Sequence, residues 1–132
     1  MNPVLKKIKY TEQNPVLILN APEEYQDVLK DINSEIHTEI KGTYKFIQVF
    51  VKSMDEVKSV IEDVTSALDG DGYLWICYPK GTSKKYKSDC KRDVLVDAIS
   101  PYNFLGVTLV AIDNDWSAMR FRDVKYIKSL NK

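Results

Sequence analysis

Pro15-Val16-Leu17-Ile18-Leu19-Asn20-Ala21-Pro22-Glu23-Glu24-Tyr25 decides the fold. Four apolar residues run without a polar break between a proline and an Asn-Ala-Pro punctuation, the pattern of a short strand buried on both faces. A helix is predicted next. Asn20 stands where an N-cap belongs and Pro22 lies in the first turn, where a missing N–H costs nothing. Tyr25, Val28, Leu29 and Ile32 then repeat at i, i+3, i+4, i+7. A doubly buried strand followed by an amphipathic helix is the opening unit of a parallel α/β sheet.

Outward from this unit the same alternation recurs. Ile36 to Ile40 alternates with His37 and Glu39 and reads as a short edge strand, and Tyr44 to Val51 is dense in aromatic and β-branched residues. Ser53-Met54-Asp55-Glu56 has capping-box spacing before a helix whose inner face is Met54, Val57, Val60, Ile61, Val64 and Leu68. Asp69-Gly70-Asp71-Gly72 ends that helix. Tyr73 to Tyr78 is another buried strand, stopped at Pro79-Lys80-Gly81. A third helix is predicted from Ser88 or Asp89, with Val94, Leu95, Ala98 and Ile99 inward, closed by Ser100-Pro101. Phe104 to Ile112 and Trp116 to Val124, separated by Asp113-Asn114-Asp115, form an antiparallel hairpin.

The expectation is a single α/β domain over residues 1–132: a three-layer Rossmann-like sandwich, mostly parallel, with a C-terminal antiparallel hairpin. The strand at Ile36 to Ile40 is the awkward one. Either it runs antiparallel to its neighbours, or it lies parallel beside the first strand. The second choice demands a crossover of a dozen residues before a parallel third strand.

The chain carries 19 Lys plus Arg against 19 Asp plus Glu, with 44% hydrophobic and 29% charged residues, a composition that argues against disorder. Zero net charge argues against a general nucleic-acid binder. The charges are nevertheless segregated. Glu12 to Glu39 holds seven acids and one lysine, Asp55 to Asp71 six acids and one lysine, and Lys80 to Arg92 six basic residues and one Asp. Two cysteines, Cys77 and Cys90, lack the spacing of a zinc site or disulfide framework and read as reduced thiols. No apolar run approaches the roughly 20 residues of a membrane span, and Met1 to Tyr10 is too polar for a signal peptide. A cytoplasmic location away from membranes is therefore expected.

In open α/β sheets, ligands bind beyond the carboxyl ends of the strands. Pro79-Lys80-Gly81-Thr82-Ser83-Lys84-Lys85 is the most suggestive loop there, with a glycine, two hydroxyls and three lysines ahead of a helix start. It suits a phosphate, carboxylate or sulfate, although it reads more readily as a solvated basic loop. It is not a GxxxxGK[ST] phosphate loop. The first loop, Asn20 to Tyr25, lacks GxGxxG, and Glu23 and Glu24 would repel a pyrophosphate, which disfavours dinucleotide or S-adenosylmethionine binding. Asp89, Arg92 and Asp93 form either an acid–base cluster or an ordinary salt-bridged helix start. Cys90, near a helix N-terminus among lysines, is either a thiol of lowered pKa or a plain buried residue. His37 reads as a surface residue, and no metal site is expected. On the hairpin, alternation puts Trp116, Ala118, Arg120 and Arg122 on one face. There the arginines either stack on the tryptophan and pair with Asp113 or Asp115, or hold an acidic ligand.

Leu74-Trp75-Ile76-Cys77-Tyr78-Pro79-Lys80-Gly81, then Ser83, Asp89 and Arg92-Asp93, followed by Val110-Ala111-Ile112-Asp113, Trp116-Ser117-Ala118 and Arg120-Phe121-Arg122, resemble a bacterial family of short proteins of unknown function. Leu19-Asn20-Ala21-Pro22 with Tyr25, and Phe50-Val51-Lys52-Ser53, match its N-terminal half, so the resemblance spans about residues 15 to 123. The YPKG and WSAxRFR elements are its specific marks. The pattern also looks like a trimmed class I methyltransferase, which implies an edge position beside the first strand for Ile36 to Ile40.

The leading expectation is a domain that binds a small anionic ligand through Lys80, Gly81, Ser83 and Lys84, with Arg92, Arg120 and Arg122 in support and Asn20 at the facing loop. The alternatives are a divergent S-adenosylmethionine-dependent methyltransferase-like protein and a homodimeric interaction module. The sequence leaves cofactor and catalytic residues unknown.

Overall fold

The computed structural model describes residues 2–127. Four strands, β1 (Val16–Leu19), β2 (Ile36–His37), β3 (Tyr44–Phe50) and β4 (Leu68–Pro79), are followed by the hairpin β5 (Phe104–Ala111) and β6 (Trp116–Asp123). The helices are α1 (Pro3–Lys7), α2 (Gln26–Leu29), α3 (Met54–Ala67) and α4 (Arg92–Ile99). One sheet runs in the order β2-β1-β3-β4-β6-β5. The pairs β1–β2, β1–β3 and β3–β4 are parallel, and β6 is antiparallel to both its neighbours. The chain crosses from β4 through α4 to the edge at β5. It then returns through a tight turn, so β6 fills the gap between β4 and β5. The turn is built by Asp113, whose Oδ1 accepts from the N–H of Asp115 at 2.7 Å and of Trp116 at 2.8 Å.

Alternate residues of β1, β3 and β4 point to opposite faces, and both faces are covered, which is why these strands read as continuous apolar runs. On one face Leu17, Ile47, Val49, Leu74 and Ile76 pack on Val57, Ile61 and Val64 of α3 and on Leu95 and Ile99 of α4. On the other, Val16, Ile18, Phe46, Phe50, Trp75 and Cys77 pack on Leu5, Ile8, Tyr10, Tyr25 and Ile32. The architecture is a three-layer α/β sandwich with an antiparallel C-terminal pair, as expected.

Four local readings differ from the structure. The second strand is parallel to β1 at the edge, and no crossover helix is present between it and β3. It is only two residues long, and His37 lies level with Leu17, which lies level with Ile47. The chain must therefore move sideways by two strand spacings, about 10 Å, and back by three residues, about 10 Å, which the six residues 38–43 span easily. The helix expected after β1 is a 3-10 turn, Glu23–Tyr25, running into the four-residue α2. Asn20 does not cap it. It adopts φ 60°, in the left-handed region, and turns the chain sharply out of β1. The third helix begins at Arg92, past Ser88 and Asp89. Finally, α1 lies in a segment read only as polar, and the Trp75 indole donates to the Ile8 carbonyl at 2.8 Å to hold it against the sheet. The capping box at Ser53 is present, with Ser53 Oγ accepting from the Glu56 N–H at 3.2 Å.

Candidate functional site

The loop 80–91, the turn after β1 and the start of β6 meet over the carboxyl end of the sheet. The loop continues the β4–β6 ladder for one more bond, Lys80 N–H to the Asp115 carbonyl at 2.8 Å. Ser83 N–H then donates to the Lys80 carbonyl at 3.0 Å and closes a turn. Ser83 Oγ donates to Asp115 Oδ1 at 2.8 Å and accepts from the N–H of Lys85 at 3.2 Å and of Tyr86 at 3.0 Å. Asp89 anchors the far end of the loop, its Oδ1 accepting from the Met54 N–H at 2.9 Å in the first turn of α3.

This folding aims Lys85 and Tyr86 at the turn after β1, where Glu24 meets them. Glu24 Oε2 accepts from the Tyr86 hydroxyl at 2.5 Å and from Trp116 Nε1 at 3.1 Å, while Oε1 accepts from Lys85 Nζ at 3.2 Å. Trp116, the first residue of β6, is 1% exposed and stands between Phe50 and Tyr86, at ring-centroid distances of 5.2 and 5.0 Å. Lys52 Nζ lies 5.2 Å from the centre of the Tyr86 ring. Beneath this layer Tyr25 packs on Phe50 at 4.8 Å. Its hydroxyl exchanges hydrogen bonds of 3.2 and 2.9 Å with the amide of the fully buried Gln48, which also donates to Cys77 Sγ at 3.4 Å.

Burial works to raise the Glu24 pKa, but the hydrogen bonds from Tyr86, Trp116, its own backbone and Lys85 prevail and hold it at about 2. Tyr86 is pushed the other way, by burial and by the carboxylate it donates to, and so keeps its proton. The carboxyl end of the sheet thus sets one phenol, one indole N–H and one ammonium around a single carboxylate. The chain itself supplies the carboxylate.

Lys80 is half-buried and Lys84 exposed, both on the loop at this end. Gly81 is exposed, its backbone lies outside the left-handed region, and a Cβ there would meet nothing within 4 Å, so no close approach requires a glycine. The Ser83 hydroxyl is consumed by Asp115 and by the loop's own N–H groups. Asn20 is exposed at the end of β1. Arg92 opens α4, with Nε 3.8 Å from Asp93.

Arg120 and Arg122 do not join them. The antiparallel register sets Trp116 opposite Pro79 and Arg120 opposite Trp75, so the arginines lie four and six residues, about 13 and 20 Å, toward the other end of the sheet. Arg122 forks onto Asp71 through Nε–Oδ1 at 2.8 Å and Nη2–Oδ2 at 2.6 Å. Arg120 stacks on Tyr73 at 4.0 Å and reaches the Asp71 carboxylate at 3.6 Å. The Arg122 hydrogen bond holds the Asp71 pKa below the usual carboxylate range. Both arginines therefore lock the β4–β6 pair and partner neither Trp116, Asp113 nor Asp115 in these contacts.

One further reading is corrected, for His37, and one is decided in favour of a plain buried residue, for Cys90. His37 is half-buried, with Nδ1 2.6 Å from the Tyr44 hydroxyl and Nε2 2.8 Å from Glu35 Oε2, and it pins the short β2. Cys90 is buried, and burial pushes its thiol up rather than down. Among the described residues no group of three or more His, Cys, Asp or Glu could hold a metal, and no helix is long and apolar enough to cross a membrane. β5 forms one edge of the sheet, and Val107 and Leu109 are exposed on it.

Sequence reasoning missed Glu24, Lys85, Tyr86 and Trp116 as a unit. Glu24 read as an acid that would repel a pyrophosphate, and nothing local links it to an indole 92 residues away.

The trace of the chain is similar to solved methyltransferases. A methyltransferase from Pyrococcus furiosus superposes with a TM-score of 0.58 over 91% of this chain and 79% of that one, at 9% identity. The N-methyltransferase NodS from Bradyrhizobium japonicum gives 0.55 over 91% and 89%, at 12% identity. No protein-family model and no curated protein matches the sequence, so the YPKG and WSAxRFR pattern gains no support from that side. At such identities the likeness is one of fold: the chain has a Rossmann-like methyltransferase fold.

Proposed function

We propose that this chain binds a small carboxylate- or phosphate-bearing molecule at the carboxyl end of its sheet. The observation that carries the reading is the Glu24 carboxylate held by Tyr86, Trp116 and Lys85, because an assembly that satisfies one anion is built from the groups any anion needs. Lys80 and Lys84 on the same loop add positive potential around it and would attract a charged ligand. The neutral donors supply direction and the lysines supply charge, and no bond-making chemistry is required of either.

A thermal-shift panel of phosphate, sulfate, nucleotides, acyl phosphates and small carboxylic acids tests this. The expected outcome is a ligand that stabilises the wild type, by about 2.7 kcal/mol at a hundredfold excess over Kd. That stabilisation should shrink in a Lys80→Ala, Lys84→Ala double variant. A panel in which no compound stabilises the wild type more than the variant overturns the reading.

Methyl transfer is the second reading, favoured by the fold of the solved neighbours. The present loop does not fit S-adenosylmethionine. Asn20 makes the turn out of β1 with a side chain in place of glycine, Pro22 removes a backbone N–H, and Glu24, Tyr86 and Trp116 fill the layer above the strand ends. Calorimetry at millimolar S-adenosylmethionine decides it, since heat of binding would revive methyl transfer and its absence removes it.

A further inference from the structure

The members of the Glu24 cluster are unequally fixed. Trp116 is almost fully buried, begins a strand in the sheet interior and meets Phe50 edge to face. Glu24 comes from a three-residue 3-10 turn with no side-chain cap, and its side chain is 26% exposed. Lys85 is more exposed still, at 55%. Trp116 is therefore the fixed side of the cluster, and Glu24 and Lys85 reach it from the surface. The geometry is also selective. One oxygen meets two neutral donors and the other meets one ammonium, which matches a planar, two-oxygen monoanion. Phe50, Trp116 and Tyr86 pack on one another beside the carboxylate, so the room open to a ligand is that of the Glu24 side chain itself.

We infer that Tyr86, Trp116 and Lys85 form a carboxylate-binding slot that Glu24 holds closed from within, and that a small carboxylic acid enters by replacing the Glu24 side chain. The inference rests on the anion-binding reading above and narrows its ligand to a carboxylic acid. Because Glu24 is tethered, it competes at an effective concentration in the millimolar range or above. A free monocarboxylate therefore binds the wild type far more weakly than a variant whose slot is vacant, and a natural ligand needs additional contacts.

Glu24→Ala empties the slot while leaving its donors, and Glu24→Gln keeps it filled with a neutral group of the same shape. Acetate and benzoate are titrated into wild type and both variants, with chloride at matched ionic strength as control. Melting temperature and the indole N–H resonance of Trp116 are followed. Glu24→Ala should respond saturably and at least about tenfold more tightly than wild type, a difference of about 1.4 kcal/mol. Glu24→Gln and Glu24→Ala combined with Trp116→Phe should lose that response. A folded Glu24→Ala that shows no saturable response beyond chloride overturns the slot, as does one that responds no more tightly than wild type. Should Glu24→Ala fold only with help, recovery in acetate but not in chloride supports the slot. Failure to recover in acetate while Glu24→Gln folds overturns it. Acetate binding to Glu24→Ala with an empty wild-type panel would keep the slot and remove the proposed function. Stabilising ligands that ignore Glu24 and Trp116 would do the reverse.

Discussion

Glu24 shows how a residue of ordinary sequence context acquires an unusual environment. Its carboxyl is held at about 2, well below its ordinary value of 4.5, so the folded state binds the proton less readily than the unfolded chain. Stability from this group is therefore fully present above about pH 4.5 and is lost as the pH falls toward 2. Urea denaturation of wild type and Glu24→Gln across that window should show wild type more stable at pH 6, with the gap closing by pH 2. A gap independent of pH would mean that the carboxylate charge contributes nothing. Arg120 and Arg122 carry the opposite lesson. Their alternation with Trp116 on one face was legible, but their partners were not. Strand register alone decides that they stand beside Asp71 and Tyr73 rather than beside the hairpin turn.

Among the elements, α3, β3, β5, β6 and the Tyr73 to Tyr78 part of β4 were legible because each is long enough for its period to be read, whereas Leu68 to Gly72, read as the helix's last turn and stop, begins β4. The turn after β1, α1 and β2 were not. At three to five residues α1 and the 3-10 turn fall below the length at which local propensity decides, and β2 has two. What holds them is tertiary: Trp75 on the Ile8 carbonyl, Tyr25 on Gln48, His37 on Tyr44. The loop 80–91 is organised in the same way. Asp89, read as a helix start of its own, instead receives the first N–H of α3. Asp89→Ala should cost about 0.5–2 kcal/mol in urea denaturation, in the range of a lost helix cap. It should also speed amide exchange at Met54 and along 85–91. Unchanged exchange there would show that the loop is anchored by Ser83 and Asp115 alone.

At the scale of the whole molecule, the sheet separates two jobs. Its amino end is stitched by Asp71 with the arginines and by His37 with Tyr44, and its carboxyl end carries the donors around Glu24. The α1 segment closes one core from outside, with Leu5 and Ile8 fully buried. Ile8→Ala should therefore destabilise the entire domain by about 2–5 kcal/mol, and the loss should appear as one cooperative transition. Early melting of α1 with the sheet intact, read by Trp75 fluorescence, would show instead that this layer is an accessory to the fold.

The sequence by itself determined the α/β class, the buried strands, the hairpin and the concentration of lysines after β4, because hydrophobic period and turn chemistry are local properties. Only the tertiary structure decided which of those charges meet. Glu24 lies 62 residues from Tyr86 and 92 from Trp116, and the arginines about 50 from Asp71. Such pairings follow from strand order and register, which set side chains from distant segments a few ångströms apart and leave no trace in the spacing along the chain.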